Sequence, residues 1–287
     1  MSKIIGIDLG TTFSAIAQLD DLGNPEVLAS TDSNKKITAS AVYVKDKNVV
    51  VGDKALDALV ATPKNVVTET KRQMENDVVY SLEKGKWIDK EEGDEKSYSP
   101  AQISSFILGK LKTYASDVKR AVITVPALFA EKARVATLDA AKMAGIEVIE
   151  LINEPTAAAC YYASLPSIKK VTGKVLIFDL GGGTFDVTIC EVQSQSVEVI
   201  TSRGDKWLGG KDFDSELFKI MSQKYKESTG KPLEDNKKME YMEKAEQFKR
   251  SLSVRENFAD VIDGPKGPKK IQITRAEFEE SIQTHLE

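Results

Sequence analysis

Histidine and cysteine are scarce in this chain, whose 287 residues include one histidine and two cysteines. The histidine, His285, lies close to the C-terminal end, so a histidine-based catalytic triad and a metal site with several histidines are both excluded. Cys160 and Cys190 stand far apart in an alanine-rich and a strand-like segment, and we predict that each is a small buried side chain in a reducing compartment. Catalysis must therefore use carboxylates, lysines, hydroxyl groups or a metal ion bound by oxygen.

Long apolar runs and an excess of positive charge are also missing. No stretch approaches the roughly 18 apolar residues that span a bilayer, and the N-terminus has no secretory signal pattern. With 40 Lys and Arg against 44 Asp and Glu, the net charge is -4, so nothing indicates a basic surface for nucleic acid. We expect a cytoplasmic protein that binds neither membranes nor nucleic acid.

Two familiar phosphate-binding motifs are absent as well. The sequence contains neither Gly-x-x-x-x-Gly-Lys-Ser/Thr nor a Gly-x-Gly-x-x-Gly that opens a helix. A phosphate ligand would therefore be held by hairpin turns rather than by a helix N-terminus. The length exceeds that at which single cores usually stop growing, and a hydrophobic content of 41% supports sizeable cores, so two lobes are expected.

The most informative stretch runs from Asp179 to Asp186 and contains the consecutive glycines Gly181 to Gly183. An apolar run precedes it and the alternating segment Val187 to Val192 follows, a pattern that predicts a strand, a tight turn and a second strand. Glycine permits positive φ and carries no Cβ, so consecutive amide groups can converge on an anion such as phosphate. Residues 4–17 repeat this plan around Asp8, which indicates an internal duplication.

The rest of the chain alternates predicted strands and helices, which favours an α/β lobe with a mixed sheet. Helix starts are indicated by N-capping residues or capping boxes at Asp53, Ser99 with Gln102, Asp212, and Thr274 with Glu277. The predicted helices are 54–62, 100–114, 132–144, 156–163, 213–224, 236–252 and a last one after residue 274. The predicted strands include 38–45, 48–52, 121–125, 148–152, 197–202, 258–262 and 270–273. The charged segment Lys84 to Lys96 is predicted to be an exposed excursion.

Three acidic residues, Asp8, Glu154 and Asp179, each stand at the end of a predicted strand. Ligands of open α/β sheets lie beyond the carboxyl ends of the strands, so we expect these acids to face one cleft. Two unit charges 4 Å apart interact by about 4 kcal/mol at an effective dielectric constant of 20, so several carboxylates would repel a triphosphate unless a divalent cation lay between them. Mg²⁺ keeps most of its waters and takes phosphate oxygens plus one or two carboxylates, so the acids predict a site for Mg-ATP.

A lysine near the phosphates would offset negative charge and orient an attacking water, but the residue pattern alone does not select it. The basic pair Lys71 and Arg72, taken by itself, is typical of a solvated surface loop.

Five motifs in order resemble the ATPase domain of the DnaK-type, seventy-kilodalton heat-shock chaperones, from residue 4 to about residue 280. These motifs are the turns at residues 8–12 and 179–186, Val-Pro-Ala at 125–127, Leu-Ile-Asn-Glu-Pro-Thr-Ala-Ala-Ala at 151–159, and Leu-Gly-Gly-Lys-Asp-Phe-Asp at 208–214. The resemblance implies an α/β, actin-like ATPase fold, a duplicated ribonuclease H-like architecture with two lobes around a nucleotide cleft. It implies lobe I at residues 1–165, with a small inserted subdomain at about 38–98, and lobe II at 166–287, with a small subdomain at about 213–287.

The resemblance also implies roles by position, with ATP or ADP and Mg²⁺ as cofactors. Lys71 matches the lysine that orients the hydrolytic water, and Thr184 with Asp186 matches the pair near the γ-phosphate. Asp8, Asp179 and Glu154 match the acids around hydrated Mg²⁺ and the water, with Asp8 and Asp179 reaching the metal through water. The nucleotide-binding positions are Gly10, Thr11, Thr12, Phe13, Gly181, Gly182, Gly183, Thr184, Gly209, Gly210, Glu246, Lys249, Arg250 and Ser253, the last four on a helix that contacts adenosine. Pro126 and Arg134 match a relay that couples nucleotide state to a peptide-binding domain.

The sequence also departs from the family pattern. Trp207 stands where most members have His, Lys211 where they have Glu, and Phe13 where they have Asn or Tyr, and the first lobe is shortened around residues 76–97. The segment that completes lobe II in the family, the linker, the peptide-binding sandwich and the lid do not follow residue 287, so we expect a fragment or a short member. These departures put standard regulation by partners in doubt.

Three functions are therefore considered. The first is a slow Mg-ATPase that acts as the nucleotide switch of a chaperone, with a J-domain co-chaperone, a nucleotide-exchange factor and client peptides as partners. The second is a small-molecule kinase on the same fold, which would need a base aimed at a substrate hydroxyl. The third is a nucleotide-binding docking module that does not hydrolyse ATP.

Overall fold

The computed structural model describes residues 4–46, 48–59, 61–165, 172–193 and 196–287. Its contacts divide the chain into two compact units, Met1–Trp207 and Leu208–Glu287. The crossover predicted at residues 164–173 falls largely outside the described residues, and so does Val60, which was predicted to lie on the apolar face of the first helix. The lobe boundary between residues 165 and 166 stays a prediction.

The first unit contains mostly short strands, four α-helices and three short 3₁₀ helices within its described residues. Its strands are β1 (Ile4–Asp8), β2 (Phe13–Leu19), β3 (Pro25–Val27), β4 (Thr38–Ala39), β5 (Val42–Lys45), β6 (Asn48–Val51), β7 (Val66–Val67), β8 (Val78–Ser81), β9 (Lys86–Asp89), β10 (Ser97–Tyr98), β11 (Arg120–Val125), β12 (Glu147–Asn153), β13 (Gly173–Leu180), β14 (Phe185–Val192) and β15 (Val197–Asp205). Its α-helices are α1 (Asp53–Asp57), α2 (Pro100–Lys112), α3 (Glu131–Met143) and α4 (Glu154–Ser164), and its 3₁₀ helices are Pro63–Asn65, Thr70–Gln73 and Lys90–Glu92.

The main sheet of the first unit has the strand order β12-β11-β1-β2-β3, with β4 paired to β2. Strands β12, β11 and β1 are parallel, whereas β1, β2 and β3 are antiparallel, which confirms the predicted mixed sheet. Alternate residues of β1 are buried, and Ile5 and Ile7 pack with Ile107 and Leu111 of α2 in one core. The parallel arrangement brings the carboxyl ends of β1, β11 and β12 to the same edge of the sheet.

A second sheet, β13-β14-β15, is fully antiparallel. Helix α4 packs on one of its faces, where Ala159, Cys190 and Val192 form a small buried cluster. The hairpins β1–β2 and β13–β14 share the plan predicted from the repeated sequence, since each has an aspartate near the end of its first strand followed by a glycine-containing turn. The first unit thus contains two hairpins with similar turns, as the repeated sequence predicted.

Two capping boxes confirm predicted helix starts. Ser99 Oγ accepts a hydrogen bond from the amide of Gln102 at 3.2 Å, and the Gln102 side chain accepts one from the amide of Ser99 at 2.8 Å. Thr274 and Glu277 make the same reciprocal pair. Helix α3 ends as predicted before Gly145, whose φ of 67° is readily adopted only by glycine.

Several sequence predictions were wrong in detail. Asp212 is not an N-cap, because the helix begins two residues earlier and Asp212 lies in its first turn, where its carboxylate accepts the amide of Gly209 at 2.8 Å. Asp53 is the first residue of a helix that ends at Asp57, and its N-cap is Gly52. Cys160 is exposed, so the prediction that it is buried was wrong, while Cys190 is buried as predicted.

The charged excursion predicted at residues 84–96 is also partly wrong. Residues 86–89 form β9, which completes a three-stranded sheet in the order β10-β8-β9. Ile88 is buried, and the ring of Trp87 packs edge-on against Tyr80 with centroids 5.4 Å apart. These two apolar side chains stabilise a strand within an otherwise charged segment.

The second unit packs helices against a hairpin. Its elements are α5 (Gly210–Thr229), a 3₁₀ helix (Asp235–Lys237), α6 (Lys238–Leu252), β16 (Asn257–Gly264), β17 (Gly267–Thr274) and α7 (Arg275–Leu286). Leu217 and Met221 of α5, Phe248 of α6, and Ile271 and Ile273 of β17 share its core. Among the described residues of both units, none of the helices has the length and apolar character needed to cross a bilayer.

Candidate active site

A cavity of about 620 Å³ opens within the first unit, where the main sheet and the second hairpin meet. Acidic groups, a lysine, and the two glycine-containing turns line it. The lining residues are Asp8, Gly10, Thr11, Thr12, Phe13, Lys71, Thr124, Glu154, Ala157, Ala158, Tyr161, Asp179, Gly181, Gly182 and Thr184. Most of the site residues predicted in the first unit therefore surround one space.

The two turns contact each other directly. A Cβ atom at Gly182 would lie 2.1 Å from Thr12 Oγ1, and a Cβ at Gly183 would lie 2.6 Å from Thr11 Cγ2 and 2.7 Å from Arg72 Nε. Since carbon atoms cannot approach other groups so closely, both positions require glycine. The second turn therefore packs directly against Thr11 and Thr12 of the first turn.

Several polar groups of these turns have no protein partner. Within the described part of the chain, the amide groups of Thr11, Gly182 and Gly183 make no hydrogen bond, and the buried Thr12 Oγ1 has no partner either. Unpaired donors at a buried site cost free energy unless a ligand or water satisfies them. Converging amide and hydroxyl donors are suited to phosphate oxygens, so the turns fit the predicted ligand.

Each of the three predicted acids is placed by a different element. Asp8 ends β1, and its Oδ1 accepts a hydrogen bond from Thr124 Oγ1 at 2.8 Å. Asp179 is the second-last residue of β13, and Glu154 is the first residue of α4, directly after β12. Burial raises the pKa of Glu154, assisted by the charges of Asp8 and Asp179 and opposed by Lys71.

Burial and neighbouring charges also shift the pKa values of Asp179 and Asp186 in the second hairpin. Burial raises the pKa of Asp179, with Lys71 opposing and Asp8 adding to the shift. Burial and the facing Asp179 also raise the pKa of Asp186, which lies directly opposite Asp179 in the β13–β14 ladder. Asp186 is 2% exposed and its Oδ1 has no hydrogen-bond partner among the described residues, while the neighbouring Thr184 is also buried. The crowded carboxylates favour a cationic ligand.

Lys71 is buried and forms an ion pair with Glu154. It belongs to the 3₁₀ helix Thr70–Gln73, which follows Glu69 in a left-handed conformation, and its side chain is only 7% exposed. The interpretation of Lys71 and Arg72 as a solvated surface pair was therefore wrong, because the chain turns both side chains inward. Arg72 Nε donates to the carbonyl of Gly183 at 3.1 Å and thereby ties this segment to the second turn.

Four residues that line the cavity, Thr124, Ala157, Ala158 and Tyr161, were not predicted as site residues from the sequence. Thr124 faces Asp8 because β1 and β11 are paired in parallel with these residues in register, a relation that the order of strands alone does not reveal. Tyr161 lines the cavity one helical turn after Ala157 and Ala158 on α4. Its place on the helix that begins at the predicted Glu154 could have indicated that it faces the site.

The predicted relay residues lie near Glu154. Arg134 of α3 donates from Nε to the carbonyl of Phe129 at 3.1 Å and from its second terminal nitrogen to Asn153 Oδ1 at 2.8 Å. The amide of Phe129 donates in turn to the carbonyl of Pro126 at 3.1 Å. Pro126 and Arg134 are therefore linked to the residue that precedes Glu154, although their coupling role stays a prediction.

The other predicted nucleotide-binding residues are grouped in the second unit. Lys249 Nζ donates to the carbonyl of Gly210 at 2.8 Å, and Arg250 binds Glu246 through two nitrogens at 2.6 and 3.2 Å. Ser253 Oγ donates to the carbonyl of Lys249 at 3.0 Å, and Gly209 caps the start of α5. The structure thus brings these residues close to one another within their own unit.

The acidic side chains of the cavity are possible ligands of a metal ion. Among the described residues, no group of three or more His, Cys, Asp or Glu side chains is arranged to hold a metal. Asp8 and Asp179 both line the cavity, and two carboxylates are as many as Mg²⁺ usually takes when it retains waters and binds phosphate. The residues present therefore fit hydrated Mg²⁺, and magnesium binding stays a prediction.

Comparison with known proteins places the chain among chaperones. The family model described as Hsp70 protein matches residues 4–287. The chain is also 37% identical, over an alignment of 315 residues, to the mitochondrial-type heat shock protein 70 of Encephalitozoon cuniculi (strain GB-M1); the match covers 100% of this chain and 52% of that protein. The chain thus spans about half the length of this curated relative, and its mixed α/β architecture agrees with the actin-like ATPase fold of the matched family.

Proposed function

Because the chain belongs to the Hsp70 family, whose members bind ATP and ADP and hydrolyse ATP, we propose that this chain hydrolyses ATP slowly with Mg²⁺ and serves as the nucleotide switch of a molecular chaperone. One observation carries the proposal: two turns with unpaired amide groups, three carboxylates and the buried pair of Lys71 and Glu154 share one cavity. A phosphate chain needs donors on one side and charge neutralisation on the other, and this cavity offers both.

The first step is the binding and alignment of the phosphates. The amide groups of Thr11, Gly182 and Gly183 donate to phosphate oxygens, and Thr12 Oγ1 adds a further donor. Asp8 and Asp179 would hold hydrated Mg²⁺ through its waters, and that ion would supply positive charge between these carboxylates and the phosphates. Positioning of this kind supplies most of the catalysis in phosphoryl transfer, because little covalent chemistry is left to the protein.

The second step is the attack of water on the γ-phosphate. Lys71 orients that water through its ammonium group, and Glu154 fixes the position of Lys71 through their ion pair. Thr184 and Asp186 lie beside the γ-phosphate, where Thr184 donates from its hydroxyl and the unpaired Asp186 Oδ1 accepts from a water. Lys71, Thr184 and Asp186 are buried, so their contacts with the ligand are stronger than they would be in water.

The adenosine is assigned to residues of the second unit. The proposed contacts are Glu246, Lys249 and Arg250 of α6, Ser253 directly after that helix, and Gly209 and Gly210 at the start of α5. Their mutual contacts support a common role. Lys211 lies 3.6 Å from Glu246, so the residue that departs from the family pattern borders this proposed subsite.

The activity and partners of a whole chaperone are proposals for this chain. Hsp70 proteins generally work with J-domain proteins and nucleotide-exchange factors, and we propose partners of both classes, with client peptides bound by another domain. Pro126 and Arg134 are the proposed residues that pass the nucleotide state onward, since Arg134 is bonded to Asn153 beside Glu154. The cytoplasmic location also remains a prediction.

The test is the release of phosphate from ATP by the purified chain without any sugar, with Mg²⁺ and again with EDTA. We expect Mg-dependent release that Lys71→Ala and Thr184→Ala each reduce by about 10²-fold or more. Lys35→Ala is the matched control, since it removes an exposed lysine that pairs with Asp53 on the surface, and it should leave the rate unchanged. ADP production that depends on an added sugar would favour a kinase, and ATP binding without a Lys71-dependent rate would favour a docking module.

A further inference from the structure

Two buried serines are bonded to the first glycine turn and to each other. The amide of Gly10 donates to Ser14 Oγ at 3.2 Å, Ser14 Oγ and Ser40 Oγ are 2.9 Å apart, and Ser40 Oγ donates to the carbonyl of Gly10 at 2.8 Å. Ser14 is 1% exposed and Ser40 is 4% exposed, so water does not compete for these hydrogen bonds. The three residues form a closed ring of hydrogen bonds beneath the turn.

The direction of every proton in this ring is determined. A carbonyl oxygen only accepts, so the single hydroxyl hydrogen of Ser40 must point to Gly10. Ser14 must then donate its hydrogen to Ser40 Oγ, while its own oxygen accepts the amide of Gly10. Because no hydroxyl can rotate without breaking a buried hydrogen bond, the ring holds the turn in one conformation.

The ring also fixes the direction of a donor in the cavity. The carbonyl of Gly10 and the amide of Thr11 belong to one planar trans peptide, so they point in opposite directions. Ser40 holds the carbonyl on its own side, and the Thr11 amide, which has no partner among the described residues, is therefore turned away from Ser40. The amide of Ser40 also donates to the carbonyl of Thr12 at 2.8 Å, so one residue restrains two consecutive parts of the turn.

The position of Ser40 follows from a short strand. Strand β4 pairs with β2, with Phe13 opposite Ala39 and Ser14 opposite Thr38. Ser40 is the next residue after β4, so this pairing brings it under the turn that begins at Gly10. Ser40, 30 positions after Gly10, is thereby placed to form hydrogen bonds with the first turn.

We propose that Ser40, with Ser14 as its support, is a positioning residue that orients the first turn to bind the phosphates of ATP. This inference rests on the proposed function, because it assigns the orientation of a turn already assigned to phosphate. Ser40 and Ser14 touch no substrate, and they act through the peptide between Gly10 and Thr11. Loss of either hydroxyl leaves the other ring members with unsatisfied or misdirected hydrogen bonds.

The experiment compares Ser40→Ala, Ser14→Ala and Ser104→Ala in the full chain. Ser104 is the matched control, since its buried hydroxyl lies on α2 and contacts Met74 Sδ at 3.6 Å, away from the turn. For each variant the Kd for ATP and the rate of phosphate release are measured at a temperature well below its unfolding transition. Ser40→Thr, which keeps the hydroxyl, serves as the rescue variant.

We expect Ser40→Ala to raise the Kd for ATP by about 10-fold, Ser14→Ala to raise it less, and Ser104→Ala to leave it unchanged. Ser40→Thr should recover most of the affinity. An unchanged Kd and rate in folded Ser40→Ala, or equal losses in all three alanine variants, would overturn the assignment. If Ser40→Ala does not fold, Ser14→Ala decides alone: a raised Kd supports the assignment and an unchanged Kd overturns it. Failure of the unmodified chain and of Ser104→Ala to bind ATP would instead refute the proposed function.

Discussion

Lys71 and Glu154 form a buried ion pair between the 3₁₀ helix Thr70–Gln73 and the first residue of α4, 83 positions further along the chain. Removal of one member leaves the other charge buried without its partner, which is far more costly than removal of both. We expect Lys71→Met to lower the free energy of unfolding by about 3 kcal/mol and the double variant with Glu154→Gln to recover part of that loss. Urea denaturation of the two single variants and the double variant measures this coupling, and additive losses would contradict it.

The contact between the two turns predicts the effect of a single methyl group. Gly182→Ala would place a Cβ 2.1 Å from Thr12 Oγ1, so the turns must separate and their amide donors must move. We expect the affinity for ATP to fall by at least about 10-fold, since misplaced hydrogen bonds to a charged ligand are costly. Isothermal titration with ATP measures the change.

Gly109→Ala is the control for that substitution. Gly109 lies within α2, and nothing lies within 4 Å of a Cβ built there. Alanine favours a helix over glycine by roughly 1 kcal/mol, so this variant should be slightly more stable and should bind ATP normally. A loss of affinity in both variants would show that the effect at Gly182 is not specific to the turns.

The bond from Arg72 to the second turn predicts that lysine cannot replace arginine there. Arg72 Nε donates to the carbonyl of Gly183, and a terminal nitrogen of Arg72 donates to the carbonyl of Trp207 at 3.3 Å. Lysine carries the same charge but lacks the planar group that reaches two carbonyls at once. We expect Arg72→Lys to slow phosphate release several-fold although the net charge of the protein is unchanged. The control Arg203→Lys, on the exposed strand β15, should not change the rate. Equal rates for both variants would show that charge alone matters.

The N-terminus of α7 predicts a pH-dependent contribution to stability. Glu277 accepts from Lys224 Nζ at 2.6 Å and from the amide of Thr274 at 2.8 Å, and these bonds hold its pKa below the usual value of 4.5. Because the folded state favours the charged form, the contribution is full above that value and is lost as the pH falls through the lowered pKa.

The variant Glu277→Gln keeps an N3 residue that can still cap the helix but removes the charge. Its stability deficit at pH 7 should be no more than about 1 kcal/mol, since both partners are partly exposed, and should shrink at pH 3.5. Thermal unfolding at the two pH values measures the deficit, with Glu279→Gln on the exposed side of α7 as the control. A deficit that does not change with pH would mean that the charge is not responsible.

Local signals in the sequence were sufficient for much of the fold. The capping boxes at Ser99 and Thr274 and the glycine after α3 correctly predicted helix ends, because caps depend on a few neighbouring residues. The repeated Asp and Gly pattern likewise predicted both hairpins. Strand β9 was missed because its stability comes from Trp87 and Ile88 packing against residues outside the charged segment that contains them.

Some residues of the candidate site could be predicted from local sequence patterns, whereas others are placed by contacts with distant parts of the chain. Asp8, Glu154 and Asp179 could be grouped in advance, since each stands at the end of a strand and such ends converge. The residues alone did not select Lys71, because its burial depends on an ion pair with a residue 83 positions away. The hydrogen-bonded ring of Gly10, Ser14 and Ser40 could not be predicted from the sequence either. Serine is common on protein surfaces, and only the pairing of β4 with β2 brings Ser40 under the turn.

The unequal exposure of the two cysteines makes the chain suitable for site-selective labelling. Cys160 is exposed and Cys190 is buried, so a maleimide fluorophore added to the native protein should attach at Cys160 without any engineered substitution. That position is on α4, the helix that begins with Glu154 and contributes Tyr161 to the cavity wall. A dye on the unmodified chain would therefore sit six residues along α4 from Glu154, whose carboxylate pairs with Lys71, and should report nucleotide binding as a change in fluorescence.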